Sequence, residues 1–393
     1  MALPLEGIRV IDSSQIFAGP GAAMYLGDQG ADVIKIEPPG GDPCRGLHTS
    51  ERLGNMSKPW LIINRNKRSI VVDIRTPDGR EIVHRLVGTS DVFIHNYRLG
   101  VDKRLGVDYE TLSRLNPRLV YLHVTGFGKK GPFAHTPAYD LAVQARAGIL
   151  GARRLADGTP IGSPIMVSDL AGAMLLAYGV TLALFQRTRT GRGQTVESSL
   201  LNISLAMQSY QLVQVEGENT PLPGSLPNAL YSPYKAADNE WLMFVCITDA
   251  QWHGLCRITG LEHLGEDPAF DTYMKRLLLS PELQPVLDAV FATKPRAEWL
   301  NLLQEAEIPS SPIQSREEVF ADPQVLANDM ITTYRHPVVG NVKFLNVPLE
   351  LDGIRGTLRR PAPTLGQHTD EVMAEMGFSP AEVKRMRAAK VVA

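Results

Sequence analysis

Short apolar strands that alternate with helical segments limit the folds open to this chain more than any other feature. The segments "IRVIDSS" (8–14) and "DVIKIE" (32–37) have the β-branched residues of buried strands, and "AGPGAAMYLGDQGA" between them spaces Ala, Met and Leu as a helix does. Parallel strands need a long crossover connection. A strand, a helix and a strand within about 30 residues therefore predict a βαβ unit and a parallel sheet.

The same alternation continues to about residue 125. Further strands are predicted at 68–74, 91–96 and 118–128, and helices at 77–90 and 108–117. Residues 1–125 therefore predict a Rossmann-like, doubly wound α/β domain, in which ligands bind beyond the carboxyl ends of the strands. A stretch rich in Pro, Gly and Asn at 212–234 predicts a linker. Mainly helical segments after it predict a smaller α+β domain over about 225–325.

Composition excludes several classes of protein. A net charge of −2 over 393 residues gives no reason to expect a nucleic-acid or membrane partner. The three cysteines and nine histidines lack the spacing of a disulfide framework or a metal site. The N-terminal segment lacks the features of a signal peptide, and the uncharged run 170–185 is shorter than the ~20 residues of a membrane helix. We therefore expect a cytoplasmic protein without a metal.

The glycine-rich segments do not form a nucleotide-binding motif. No G-x-x-x-x-G-K-[ST] sequence is present. The glycines of "GFGKKG" (126–131) follow a strand with the spacing of a dinucleotide-binding loop, but "PFAHTPAYD" after them is not a helix. We interpret this segment as a turn, and we expect neither a nicotinamide nor a flavin cofactor.

Basic residues lie at or near predicted strand ends. They belong to the segments Asn64–Ser69 and Asn96–Gly106, the second of which holds Arg98, Lys103 and Arg104, together with Arg75 between the segments. Ligands bind at strand ends in this fold, so this positive charge could hold phosphate groups. Solvated surface charge explains the same pattern, and the residues alone leave both interpretations open.

Asp169 precedes sixteen uncharged residues, Leu170–Phe185, in a predicted helix whose N-cap is Ser168. An acid in the first turn of a helix satisfies free N–H groups and the positive end of the helix dipole. The same groups would keep the carboxylate ionised beside an apolar wall, and a poorly solvated carboxylate is a nucleophile toward an acyl group. A capping acid and a nucleophile both fit this pattern.

A series of longer motifs runs through nearly the whole chain. They include "GIRVIDSSQIFAGPGAAMYLGDQGADVIKIEPPGGDPCRG", "NRNKRSIVVDI", "PAYDLAVQARAG", "VSDLAGA", "RTGRGQTVESSLL" and "LGQHTDEVMAEMGFSPAEVKRM". In this order they resemble the family III coenzyme A transferases, the CaiB/BaiF family that includes formyl-CoA transferase.

The resemblance implies transfer of CoA from an acyl-CoA to a carboxylic acid through a mixed anhydride on an aspartate, which corresponds to Asp169. In that mechanism the carboxylate attacks the thioester carbonyl, and the CoA thiolate leaves but stays bound. The acceptor acid then displaces the acyl group, and the thiolate returns to form the new thioester.

The resemblance also implies the residues around the substrates. Those expected to line the substrate site are Gln15, Tyr139 and Asp140. Those expected to bind CoA are Phe17, Ala18, Val72, Asp73, Arg75, Asn96, Tyr97, Arg98 and Arg104.

The chain departs from formyl-CoA transferase at three places. Pro38 replaces an arginine that contacts CoA, and Arg45 is the candidate substitute. Pro137 replaces a CoA-contacting lysine. The glycine-rich loop over the small oxalate and formate site is absent, which favours a larger acyl group.

Two alternative functions remain at this point. The α-methylacyl-CoA racemases share the fold, but they use a histidine where this chain has Tyr139, and a tyrosine with a pKa of about 10 is a poor base for an α-proton. A non-catalytic CoA-binding protein is the other alternative, and loss of acyl exchange with retained CoA binding would favour it.

The family resemblance further implies a homodimer of two interlocked rings. The expected division is a large CoA-binding α/β domain over 1–205, a linker at 206–225, a small α+β domain over 226–325, a second linker at 326–350, and a segment at 351–393 that returns to the large domain.

Overall fold

A six-stranded parallel sheet forms the centre of the larger of two compact units in the computed structural model, which describes residues 2–54, 56–155, 157–217 and 227–393. This unit contains the chain up to Tyr210 together with Asp329–Ala393, and Gln211–Asn328 form the second unit. The strands are β1 (Arg9–Asp12), β2 (Asp32–Glu37), β3 (Lys67–Val71), β4 (Val92–His95), β5 (Val120–Thr125) and β6 (Thr195–Ser199). Their order, β3-β2-β1-β4-β5-β6, is that of a doubly wound fold.

Helices cover both faces of this sheet. Those in the first part of the chain are α1 (Ala18–Asp28), α2 (Lys58–Ile63), α3 (Pro77–Gly88), α4 (Val101–Leu105), α5 (Tyr109–Leu115), α6 (Asp140–Arg146), α7 (Val167–Thr190) and α8 (Leu200–Ala206). Short 3₁₀ helices lie at Pro43–Gly46, Glu51–Leu53 and Leu150–Ala152. One core forms where α1, α7 and α8 pack on the sheet, and α3 packs in a second core on the other face.

Small residues bring α1 and α7 close together. A Cβ atom placed on Gly21 of α1 would lie 2.7 Å from the Cβ of Ala173 on α7, which is too close for two carbon atoms. Ala18, one turn before Gly21 on α1, packs near Gly172, the residue before Ala173 on α7. The N-terminal end of α7, with Asp169 in its first turn, therefore lies beside the N-terminal end of α1.

The second unit has its own core. Its elements are β7 (Pro233–Lys235), β8 (Trp241–Phe244), α9 (Asp249–Thr259), α10 (Glu262–Gly265), α11 (Tyr273–Leu278), α12 (Ser280–Phe291), α13 (Arg296–Glu305), β9 (Ser310–Pro312), α14 (Arg316–Val319) and α15 (Pro323–Ala327), with 3₁₀ helices at Ala229–Tyr231 and Pro268–Phe270. The three strands form an antiparallel sheet, and buried aromatic side chains such as Trp252 and Trp299 pack in the core.

The last part of the chain returns to the first unit. Its elements are β10 (Ile331–His336), β11 (Gly340–Leu345), β12 (Glu350–Leu351), β13 (Ile354–Arg355), α16 (Thr369–Glu375) and α17 (Pro380–Ala388). Side chains of α16 and α17 pack in the same core as those of α3. Backbone pairing is direct as well, because the Asp73 N–H donates to the Val391 carbonyl at 2.8 Å.

Two details differ from the sequence prediction, and a third is only partly described. The strand β6 was not predicted, because "TVESS" is short, polar and half exposed at the edge of the sheet. The stretch 326–350, expected to be a linker, contains the antiparallel β10–β11 hairpin. The expected linker at 206–225 falls partly outside the described residues.

The helix α7 is long and apolar enough to cross a membrane by length and composition alone. One of its faces is nevertheless part of the protein core. Arg187, near its C-terminal end, pairs with Asp91 at 2.8 Å, which ties the helix to the start of β4. We therefore interpret α7 as a core helix with a second, exposed face.

Candidate active site

A cavity of about 220 Å³ lies at the carboxyl ends of β1, β4 and β5. This is the position expected from the sequence, because β1 and β4 are neighbours at the point where the strand order reverses. The lining residues are Gln15, Ile16, Phe17, Ala18, Asn96, Tyr97, Arg98, Leu99, Val124, Thr125, Gly126, Ala134, Thr136, Pro137, Ala138, Tyr139, Asp169 and Leu200.

Asp169 contributes a carboxylate to the wall of this cavity. The residue is 8 % exposed, and it lies in the first turn of α7, as the sequence predicted. Its carboxylate makes no hydrogen bond to the residues that the structure describes. The group is therefore shielded from solvent, open toward the cavity and uncommitted to any other contact.

The side chain of Asp140, not that of Ser168, accepts a hydrogen bond from one of the free N–H groups at the start of α7. Its Oδ2 atom accepts a hydrogen bond from the backbone N–H of Asp169 at 3.0 Å. Its Oδ1 atom accepts from the side-chain amide of Gln144. The predicted N-cap is wrong because α7 begins earlier, at Val167, and the Ser168 hydroxyl instead pairs with that of Ser204 at 2.8 Å.

The protonation of Asp169 also differs from the expectation. Burial, reinforced by the negative charge of Asp140, raises the pKa of Asp169 to about 7. No N–H group of the described residues donates to the Asp169 carboxylate to offset this effect, and the N–H of Asp169 itself donates to Asp140. At neutral pH the carboxylate is therefore poised between its two forms, and its ionised form is weakly solvated and basic.

The loop after β1 reaches the cavity through a set of side-chain contacts. The backbone N–H of Gln15 donates to the Asn96 Oδ1 atom at 2.9 Å, and the Asn96 amide donates back to the Gln15 carbonyl at 2.8 Å. The Tyr97 hydroxyl pairs with that of Ser13 at 2.6 Å. These bonds join the loops after β1 and β4, which together form the rim of the cavity.

Comparison with known proteins identifies the family. The sequence profile of CoA-transferase family III matches residues 5–369. The chain belongs to CoA-transferase family III.

Relatives of this CoA-transferase act on different acids, as their names state. It is 35 % identical over 382 residues to mouse succinyl-CoA:glutarate CoA-transferase, an alignment that covers 95 % of this chain and 86 % of the relative. It is 33 % identical to acetyl-CoA:oxalate CoA-transferase of Acetobacter aceti, with 93 % of each chain covered. A CaiB/BaiF family structure from Brucella suis superposes with a TM-score of 0.83 at 30 % identity and covers 96 % of this chain and 100 % of that one.

Eight of the residues predicted for the site of this CoA-transferase line the cavity: Gln15, Phe17, Ala18, Asn96, Tyr97, Arg98, Tyr139 and Asp169. Asp140 is not among the lining residues, because it is buried behind Asp169. Tyr139 is 70 % exposed, so its ring is not part of the protein core.

The remaining predicted residues lie elsewhere. Val72 is buried and forms a backbone bridge with Val392. Asp73 and Arg75 form an ion pair at 2.8 Å on the surface that follows β3. Arg104 is exposed on α4. None of these four lines the cavity, and their contact with CoA stays a prediction.

The expectation for several other basic residues was wrong. Arg45 is buried in a two-pronged ion pair with Glu37, with both N–O distances at 2.7 Å, and lies over the Trp60 ring. It is thus part of the fold and is not free to replace the arginine missing at Pro38.

The basic side chains of the segment Asn64–Ser69 also form ion pairs within the fold. Arg65 pairs with Asp28, Lys67 with Asp12, and Arg68 with Asp32. Lys67 and Arg68 belong to the amino end of β3, whereas the cavity lies at the carboxyl ends of the strands. Arg68 is therefore directed to the end of the sheet away from the site, whereas the Lys67 ammonium reaches Asp12 at the carboxyl end of β1 and is held there in a buried ion pair.

The sequence analysis missed the charged residues that hold the cavity loops from behind. Asp12, Lys35 and Asp42 are fully or almost fully buried. A signal was present, because Lys35 interrupts the apolar strand "DVIKIE", and a charge in a strand buried on both faces requires a buried partner. Among the described residues no group of three or more His, Cys, Asp or Glu side chains could hold a metal ion.

Proposed function

We propose that this enzyme transfers CoA from an acyl-CoA donor to a carboxylic acid acceptor through an acyl anhydride on Asp169. One observation carries the proposal, namely the uncommitted, buried carboxylate of Asp169 at the wall of the cavity. Its raised pKa supports the same role, because a desolvated carboxylate attacks a carbonyl better than a solvated one does.

The reaction then has three steps. The Asp169 carboxylate attacks the thioester carbonyl, which forms the anhydride and releases the CoA thiolate. The acceptor carboxylate attacks the aspartyl carbonyl of the anhydride, so that the donor acid leaves and a new anhydride forms. The thiolate finally attacks the acceptor's acyl carbon, which gives the new thioester and restores the Asp169 carboxylate.

Arg98 supports an anionic substrate at this site. It lines the cavity, it is exposed, and its side chain makes no hydrogen bond to the described residues. A guanidinium in this state can bind a CoA phosphate or the second carboxylate of a dicarboxylic acid. Since one relative is named for succinyl-CoA and glutarate, these two compounds are the first donor and acceptor to test.

Trapping of the anhydride tests the proposal. The protein is incubated with succinyl-, acetyl- or longer acyl-CoAs and then with hydroxylamine, and its mass is measured intact and after digestion. We expect an aspartyl hydroxamate at residue 169, and none in Asp169→Ala. A protein that forms no adduct with any donor but exchanges the α-proton of a 2-methylacyl-CoA in deuterated water would be a racemase instead.

The functional unit in this proposal is a homodimer. The outward face of α7 supports it, because six large apolar side chains there are 37–59 % exposed: Leu170, Met174, Leu175, Tyr178, Leu182 and Phe185. Such a continuous apolar face is a mark of an interaction site. The protein should sediment as a dimer, and Tyr178→Lys combined with Leu182→Lys should give monomers. Leu115→Lys, at an exposed leucine on α5, is the matched control.

A further inference from the structure

Ile16 has a backbone conformation that its side chain disfavours. Its φ angle is +73°, in the left-handed region, and among the described non-glycine residues with a positive φ it is the one with a β-branched side chain. Such a conformation persists only where surrounding contacts fix it, and it is often found at functional sites. Here the neighbours are Gln15 and Phe17, and all three residues line the cavity that holds Asp169.

Side chains from other parts of the unit hold several backbone groups at and before Ile16. The N–H of Ile16 donates to the Asp42 Oδ1 atom at 3.2 Å. The N–H and carbonyl of Gln15 bond to the Asn96 amide, and the Ser14 carbonyl accepts from the Lys35 ammonium. The contacts of Lys35 and Asp42 fix the loop from the side away from the cavity, because neither residue lines it, whereas Asn96 does.

Asp42 is the member of this set that contacts Ile16 directly. It is 2 % exposed, and its Oδ2 atom lies 3.0 Å from the Lys35 Nζ atom, so its charge is paired. Its Oδ1 atom also accepts from the Cys44 N–H at 2.9 Å, which fixes the direction of the carboxylate. A rigid acceptor of this kind can hold one peptide N–H in an unfavourable orientation.

We infer that Asp42 is a positioning residue for the transfer reaction, which holds Ile16 in the left-handed conformation and thereby places Gln15 and Phe17 at the cavity beside Asp169. This inference rests on the proposed function for the identity of the reaction, but the contacts themselves do not depend on it. It assigns a role in substrate alignment to a residue that cannot touch the substrate.

A double-mutant cycle tests this role. The four proteins are wild type, Asp42→Ala, Ile16→Gly and the double variant, and the readouts are KM for succinyl-CoA and the maximal rate of adduct formation at Asp169. In the wild-type background, Asp42→Ala should lower the maximal rate on the order of tenfold to a hundredfold, as for other small displacements near reacting atoms. In the Ile16→Gly background the same substitution should lower the maximal rate much less, because glycine adopts a positive φ without a Cβ penalty.

Two controls separate positioning from stability. Asp108→Ala removes an acid that likewise accepts a helix N–H, that of Thr111 at 3.1 Å, and it should lower the melting temperature without changing the rate. Asp42→Asn keeps an oxygen toward Ile16, so it should retain most of the wild-type rate; if the alanine variant does not fold, Asp42→Leu, which has no acceptor, replaces it in the cycle. An equal rate loss in both Ile16 backgrounds, or a wild-type rate in a folded variant that lacks the acceptor, would overturn the inference.

Failure of the proposed function gives a different result. If the wild-type protein forms no adduct, the cycle is read from the affinity for CoA itself, measured by calorimetry. Asp42→Ala should then weaken CoA binding more in the Ile16 background than in the glycine background. Equal changes in the two backgrounds would overturn the positioning role independently of the reaction.

Discussion

The Asp140 carboxylate accepts a hydrogen bond from the backbone N–H of Asp169 at 3.0 Å, so two acids share the start of α7 and only one of them faces the cavity. Asp140 satisfies the helix end, which leaves the Asp169 carboxylate free of contacts. The like charge of Asp140 adds to burial in raising the pKa of Asp169 to about 7. Asp140 thus caps the backbone of its neighbour and contributes, after burial, to the raised pKa of the Asp169 carboxyl.

This arrangement predicts a pH dependence of acylation. Asp169 attacks as the carboxylate, so the rate of adduct formation should rise with pH and level off above about 7. Asp140→Asn removes the like charge, which should move the midpoint of this profile to lower pH. The measurement is the single-turnover rate of adduct formation between pH 5 and 9.

Asp108→Asn is the matched control for that experiment. Asp108 also accepts the N–H of a first-turn residue, Thr111, but on α5 and away from the cavity. Its substitution should leave the midpoint where it is in the wild type. A profile that does not move in Asp140→Asn would mean that burial alone sets the protonation of Asp169.

The same raised pKa predicts that Asp169 destabilises the protein as the pH rises. The folded state keeps the proton up to about pH 7, whereas the unfolded state loses it near 3.8, so the free energy of unfolding falls between these values. Asp169→Asn cannot ionise, so its free energy of unfolding lacks this fall. The difference in unfolding free energy between Asp169→Asn and wild type should therefore increase by up to about 4 kcal/mol from pH 4 to pH 8, since one pKa unit corresponds to about 1.4 kcal/mol.

Urea unfolding at both pH values measures this gain. Asp108→Asn again provides the comparison, with the opposite sign. Although partial burial opposes it, hydrogen bonds from Thr111 hold the pKa of Asp108 below its usual range. Its ionised form is therefore the stabilising one, and its substitution should cost more stability at pH 8 than at pH 4. A gain for Asp169→Asn that is equal at both pH values would contradict the prediction.

Two arginines should give opposite results on substitution. Arg98→Met removes an exposed charge at the cavity, so it should raise KM for the acyl-CoA and leave the melting temperature unchanged. Arg45→Met leaves Glu37 buried without its partner, which should cost about 3–5 kcal/mol of unfolding free energy with little change in KM. Steady-state kinetics and thermal unfolding of the two variants decide this. A raised KM in folded Arg45→Met would indicate that Arg45 contributes to substrate binding.

The close contact between α1 and α7 predicts a compensating pair of substitutions. Gly21→Ala places a methyl group where the Ala173 Cβ leaves no room, and overpacking of this kind costs about 1–3 kcal/mol. Because α7 carries Asp169, acylation should slow as well. Ala173→Gly in the same protein should restore both stability and rate, and a double variant as impaired as Gly21→Ala would show that the contact does not set the position of α7.

The sequence was sufficient to locate the sheet and Asp169, because both have local signals. The strands β1 to β5 appear as short apolar runs, and Asp169 opens a long uncharged segment in the first turn of its helix. The cap of that helix had no local signal, since Asp140 comes from 29 residues earlier in the chain. The prediction that Ser168 is the N-cap was wrong for this reason.

Charged residues were the least predictable part of the site. Arg45, Lys67 and Arg98 look alike in the sequence, yet two of them are buried in ion pairs and one is open to the cavity. The difference depends on which acids the fold brings near each of them. Local patterns contain no information about such distant partners, and the Asp12 that pairs with Lys67 lies 55 residues earlier in the chain.

The return of the chain to its first unit constrains how the protein is synthesised. The backbone after β3 pairs with Val391 and Val392, which a ribosome adds more than 300 residues after β3 itself. The second unit is continuous in the sequence, so its last residue is translated while part of the first unit is still missing. The large unit can therefore be completed only after the small one has been synthesised, and a nascent chain interrupted before Thr369 lacks the two helices, α16 and α17, that cover part of the core.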